Sequence, residues 1–183
     1  MSHSLTSSRF PSLPSGRAFR APARKSGSTD VSTLIEPDGQ FEGYASVFGI
    51  ADLGRDVVLP GAFRTSLSRR SAAGVKLLWQ HDATQPLGEW NEIIEDRYGL
   101  FVSGKLDLGL LKARELHRLV ARGTIDGLSI GYRTESERRD PSTGLRRLEK
   151  LDLWEISIVT FPLLPQARIA QRGAGRGING GRA

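Results

Sequence analysis

Only one stretch, Leu110–Arg122, carries the 3.6-residue period of an amphipathic helix, with Leu110, Ala113, Leu116 and Val120 on one stripe and Gly123 in the usual position for ending it. Around it the apolar residues come in short runs bounded by turn signals. FEGYASVF (Phe41–Phe48) reads as a strand. DVVLPGAF follows as an extended piece closed by Pro60-Gly61, with a short helix over Ala62–Arg70 after it. Val75–Asp82 reads as a strand whose alternation puts Val75, Leu77, Trp79 and His81 on one face. Leu87–Ile94 and Leu100–Leu106 are strands joined by EDRYG, and Asp126–Thr134 and Arg146–Val159 are strands joined by DPSTG. Seven strands and two helices without repeated strand–helix alternation argue against a parallel, doubly wound sheet. The hairpin connections predict a mainly β (α+β) domain whose antiparallel sheet closes into a barrel or tight sandwich.

Charge bears on function only through its placement. The formal net charge is +6, which at first sight suggests a nucleic-acid binder. Residues 1–30 carry five Lys/Arg and one acid, and residues 166–183 carry four Arg and no acid, so each end contributes +4. Residues 31–165 hold 17 basic and 19 acidic residues, a balance of −2. The expected organisation is therefore a basic Ser/Pro/Arg-rich tail over 1–30, a domain over 31–165, and a Gly/Arg-rich tail over 166–183. Neither tail has the apolar content to offset backbone ordering, at about 1–2 kcal/mol per residue. The first tail lacks the apolar core of a secretory signal. Its Arg/Ser-rich, acid-poor character is that of an organelle transit peptide, but a plain solvated tail is the commoner case. No run approaches the roughly 20 apolar residues of a membrane span. The absence of cysteine excludes disulfides, thiolate metal sites and a cysteine nucleophile.

Three apolar strands each carry one out-of-place polar residue. GLSIG (Gly127–Gly131) matches the Gly-x-Ser-x-Gly pattern of elbow hydrolases, in which acid and then histidine follow the serine. No histidine follows Ser129, since the three are His3, His81 and His117, so that family is excluded. In a strand, Leu128, Ile130 and Tyr132 share one face, while Ser129 lies on the other between two glycines. Paired glycines there indicate close approach of a backbone or a ligand. Taken alone, each of the three has a bland reading. Ser129 would bond a neighbouring strand, His81 would be a partly buried structural imidazole, and Glu155 in LWEISIVTF would form a salt bridge to Lys150 or Arg133. His117 reads as a solvated helix residue. Taken together, Ser129, His81 and Glu155 are a nucleophile, a general base and an orienting acid.

The same segments carry a family resemblance. FEGYASVFGIADLGRDVVLPGAF, LLWQHDATQPLGEW, the helix with GTIDGLSIGY, and LWEISIVTFPLLPQA resemble, in this order, the prohead proteases of tailed bacteriophages and gene transfer agents. The resemblance implies a closed antiparallel barrel of about seven strands with flanking helices, similar to the herpesvirus assembly proteases. It implies a serine endopeptidase with His81 as base, Ser129 as nucleophile and Glu155 as third member, and with no cofactor or metal. The partners implied are the major capsid protein with its scaffolding segment, and the enzyme itself as substrate; self-association is open. The setting implied is the interior of the immature capsid in the host cytoplasm, with no specific nucleic acid and no membrane. The principal alternative is a catalytically inactive barrel serving capsid assembly. An RNA- or DNA-binding barrel is disfavoured by the −2 domain charge, and an esterase would leave a capsid precursor intact. Deleting residues 1–30 is expected to leave the domain folded, with an unchanged cooperative thermal transition as the check.

Overall fold

The computed structural model describes residues 34–170, so the expected tails, apart from residues 166–170, lie outside the described residues. In chain order the elements are β1 (Gln40–Val47), β2 (Asp56–Val58), α1 (Arg64–Arg70), a 3₁₀ turn (Ala72–Gly74), β3 (Lys76–Trp79), β4 (Asp82–Glu95), β5 (Gly99–Leu106), α2 (Leu111–Ala121), β6 (Gly127–Arg139), β7 (Arg146–Val159) and β8 (Arg168–Ala170). The strands pair in the order β7-β3-β4-β5-β1-β8-β6, and β6 returns to β7, closing a seven-stranded barrel. Closure removes the open sheet edges. No helix among the described residues is long and apolar enough to cross a membrane.

Two features depart from the antiparallel barrel expected. β3 and β2 both run parallel to β7, which makes the barrel mixed. They lie end to end along one edge of β7, β2 against Arg146–Leu148 and β3 against Glu155–Ile158. The chain between them rises over α1 and continues in the same direction, so both must share one orientation. The other edge of β7 is taken by the long β6 hairpin, antiparallel throughout. The second departure is β8, which pairs with β1 over Glu42–Tyr44 and touches β6 at Gly127. The domain therefore runs past the expected boundary at 165, at least to Ala170.

One apolar core fills the barrel. Leu100 and Val102 of β5, Leu128 of β6, and Leu148, Leu151, Leu153, Ile156 and Ile158 of β7 are all fully buried. Each such Leu or Ile contributes roughly 1.5–3 kcal/mol by leaving water. α2 adds Ala113, Leu116 and Val120 to the same core. Leu110, expected on that stripe, instead precedes the helix and is exposed. Gly123, at φ +64°, ends the segment as the sequence predicts.

The alternation expected in β7, with Trp154, Ile156 and Ile158 on one face, is broken by a β-bulge. Gly131 pairs with Glu155 and Tyr132 with Leu153, which leaves Trp154 as an extra residue. Leu153 therefore joins Ile156 and Ile158 in the core, and Trp154 turns outward, about half exposed. Its indole N–H donates to Asp152 Oδ2 at 2.7 Å. Asp152 also anchors α1. Arg70 donates to both its oxygens and Arg69 to one, while the buried Ser66 hydroxyl accepts the Leu153 N–H at 2.8 Å. The Arg70 guanidinium above all holds the Asp152 carboxyl down to about 2, against a usual 3.8.

Because the unfolded chain binds that proton more readily, Asp152 stabilises the fold fully at neutral pH and loses its effect as pH falls from about 4 to about 2. Asp152→Asn should be less stable at pH 7 and show a shallower acid decline than wild type. Asp38 and Asp140, also held near 2, keep part of that decline in the variant. Urea unfolding across pH 2–7 checks this.

Candidate active site

β3 does not run to Asp82 as expected. It ends at Trp79, which pairs with Asp82 at the head of β4, so Gln80 and His81 form a two-residue hairpin loop. Both have positive φ, 53° and 62°. Tight hairpin loops favour this because it matches the strand twist, although Asn-Gly is the usual sequence. Two side-chain-bearing residues here cost on the order of 1–3 kcal/mol each. β7 and Thr160 just past its end offset that cost through three hydrogen bonds. The Gln80 N–H donates to the Ile158 carbonyl at 3.1 Å, the Gln80 amide to Thr160 Oγ1 at 2.8 Å, and the His81 N–H to Ser157 Oγ at 3.0 Å. His81 is thus lifted off the strand face and aimed across β7.

The turn, β7 and β6 bring the three sequence-selected residues together. Ser129 lies opposite Ser157 in the β6–β7 ladder, and Glu155 lies two pairs away, on the same face, opposite Gly131. His81 Nδ1 is 2.5 Å from Glu155 Oε1, and His81 Nε2 is 3.0 Å from Ser129 Oγ. A carboxylate can only accept, so Nδ1–H donates to Glu155, and Nε2 is left to accept the Ser129 hydroxyl. The histidine side chain is about one-third exposed and the glutamate mostly covered. Such an arrangement can remove the serine proton as the hydroxyl attacks a carbonyl, and hold the resulting imidazolium against a carboxylate.

The flanking glycines have specific physical reasons. A Cβ on Gly131 would sit 2.0 Å from Glu155 Oε1, so the glycine makes room for the carboxylate. A Cβ on Gly127 would meet the Val159 carbonyl and Pro162. Gly127 shows the close backbone approach that the sequence indicates, whereas at Gly131 the close neighbour is a side chain. The alternative partners of Glu155 are engaged elsewhere. Lys150 pairs with Glu135 at 3.1 Å, and Arg133 lies 3.6 Å from Asp152. His117, expected in solvent, is half-buried and donates to the Glu36 carbonyl at 2.8 Å.

One participant has no clear sequence signal. Ser157 is fully buried, donates to Glu155 Oε2 at 2.7 Å and accepts the His81 N–H. Its position two residues after Glu155 puts it on the same strand face, which is the only hint available. Beside Ser129 runs a crevice with Val47, Ile50, Leu128 and Leu163 along it and Asp52 and Tyr132 at its polar end. Burial raises the Asp52 carboxyl above the usual range, and the Tyr132 phenol is raised as well, again chiefly by burial.

A seven-stranded mixed barrel with two helices thus carries on its outer face a Glu–His–Ser chain, the order of groups that serine nucleophile chemistry uses. The chain belongs to the Caudovirus prohead serine protease family, whose model matches residues 28–176. It is 37% identical over 134 residues to the prohead protease of Enterobacteria phage HK97, which covers 72% of this chain and 59% of that protein. The chain thus spans about three-fifths of that relative's length. The bacteriophage T4 capsid assembly protease, gp21, has the same fold at TM-score 0.52 and 13% identity, over 68% of this chain and 84% of that one. The protease of KSHV, solved with a hexapeptide phosphonate inhibitor, gives TM-score 0.49 and 13% identity over 71% and 63% of the two chains.

Gly131→Ala isolates the contribution of the carboxylate. The added Cβ would sit within 3.0 Å of Glu155 Oε1, Cδ and Cγ, so the whole side chain must swing away from its held position and the melting temperature should fall modestly. Glu155 Oε1 would be driven off His81, and reactivity of Ser129 should fall on the order of 10-fold or more, as for loss of a charge-assisted hydrogen bond. Thermal unfolding and labelling by a serine-directed phosphonate, measured side by side, check the two halves.

Proposed function

We propose that this chain is a serine endopeptidase of capsid maturation in which Ser129 is the nucleophile, His81 the general base and Glu155 the orienting carboxylate. The observation that carries the reading is the continuous hydrogen-bonded chain from Glu155 through His81 to Ser129, at 2.5 and 3.0 Å. His81 Nε2 takes the Ser129 proton as Oγ attacks the peptide carbonyl, then gives it to the departing amine. Water hydrolyses the acyl-enzyme by the same steps in reverse roles. Glu155 fixes the tautomer and stabilises the imidazolium. Backbone N–H groups stabilise the oxyanion. The crevice beside Ser129, with the half-exposed Leu163 along it, gives an extended peptide an apolar wall.

The substrate proposed is the scaffolding segment of the major capsid protein, with the enzyme's own ends as a second substrate held at high effective concentration. Membership of the prohead protease family and the HK97 relative support this reading, and with it a reaction inside the immature capsid.

Co-expression with the neighbouring capsid gene, followed by mass measurement of the capsid protein's N-terminus, tests the reading. Wild type should yield a shortened capsid protein. Ser129→Ala and His81→Ala should each lose on the order of 10⁴-fold or more in rate, because the three groups act as a unit. Glu155→Gln should lose less. Processing by Ser129→Ala equal to that of wild type would put the nucleophile elsewhere, and no processing by either would leave this chain as a non-catalytic assembly module.

A further inference from the structure

Ser157 stands outside the nucleophile–base–acid chain, yet it touches two of its members. Its Oγ lies 3.0 Å from the His81 backbone N and 2.7 Å from Glu155 Oε2. The backbone N–H can only donate and an ionised carboxylate can only accept, so the direction of both bonds is fixed. The His81 N–H donates to Ser157 Oγ, and the Ser157 hydroxyl donates to Oε2. Successive hydrogen bonds in this sense polarise one another. Resting on the triad reading above, we propose that Ser157 is a positioning residue that locks Glu155 and His81 into one rigid unit.

Three observations carry this beyond an ordinary strand serine. Ser157 is completely buried, so it cannot reach a substrate carbonyl and is excluded as a substitute nucleophile. It occupies the second oxygen of Glu155, while the first oxygen faces His81. With both oxygens held, the carboxylate cannot rotate away from the ring. Finally, the residue whose N–H it accepts has φ 62°, a conformation rarely taken by residues with a side chain. Ser157 therefore secures both the carboxylate and the strained turn that presents the imidazole. β7 supplies it automatically, because residues 155 and 157 project from the same face beyond the bulge at Trp154.

The test uses diisopropyl fluorophosphate on the full chain, with the rate of label appearing at Ser129 read by intact and peptide mass. Four proteins form a cycle: wild type, Ser157→Ala, Glu155→Gln and the double variant. Ser157→Ala should slow labelling about 10- to 100-fold, the cost of a hydrogen bond to a charged group. In the Glu155→Gln background the same change should cost clearly less than in wild type, since only the contact with the His81 turn is then left to lose. Ser157→Thr keeps the hydroxyl and should restore most of the rate, which also covers the case in which the alanine variant folds poorly. Labelling of Ser157→Ala at the wild-type rate, or equal losses in both backgrounds, overturns the positioning role while leaving the triad intact. A wild-type chain that takes no label at Ser129 overturns both.

Discussion

Strand β7 is hydrogen-bonded along both edges, to β6 on one side and to β3 on the other, and the placement of every site residue follows from that. Neighbouring strands lie about 4.8 Å apart. A side chain rising from β7 is therefore flanked at a fixed distance by whatever β6 and the end of β3 present. β6 presents Ser129, β7 presents Glu155 and Ser157, and the loop closing β3 presents His81. The fully buried Ile156 and Ile158 hold β7 in the core and keep this geometry rigid. The site is thus built on paired strands and one two-residue turn, and such elements are more precise than long loops.

The bulge at Trp154 sets which residues of β7 look outward. Below it Leu151 and Leu153 are buried, and above it Ile156 and Ile158 are buried. Uninterrupted alternation from Leu153 would have sent Glu155 inward, where an ionised carboxylate is costly. The extra residue reverses the phase and brings Glu155 out beside Gly131. The network around Asp152 then fixes the bulge, through the Trp154 indole and the Arg69 and Arg70 guanidinium groups of α1. A helix remote from the serine in sequence thereby helps position the carboxylate.

Much of this was legible in the residues. The strands from β1 to β7 are bounded by Gly, Pro and Asp turn signals, and α2 by its apolar stripe and Gly123. The three candidate residues stand out because each interrupts an apolar run, and the pair of glycines around Ser129 indicated the close backbone approach found at Gly127. Other features left no local mark. β8 has three residues at the start of the Gly/Arg-rich end, and only its pairing with β1 and β6 identifies it. The turn at Gln80 and His81 lacks the Gly or Asn that normally announces positive φ, because contacts with β7 hold it there. The bulge depends on register with β6, and Ser157 depends on a backbone N–H from another element. Both are tertiary facts; alternation within the strand shows only that Ser157 shares a face with Glu155.

The reactivity of Ser129 is the point on which the functional reading rests. The most direct measurement is tandem mass spectrometry of the protein after inactivation by a peptidyl aryl phosphonate, to find the residue bonded to phosphorus. A single adduct on Ser129, absent when His81 is replaced by alanine, is the expected result. An adduct on any other residue, or an adduct on Ser129 whose rate is indifferent to His81, would contradict it.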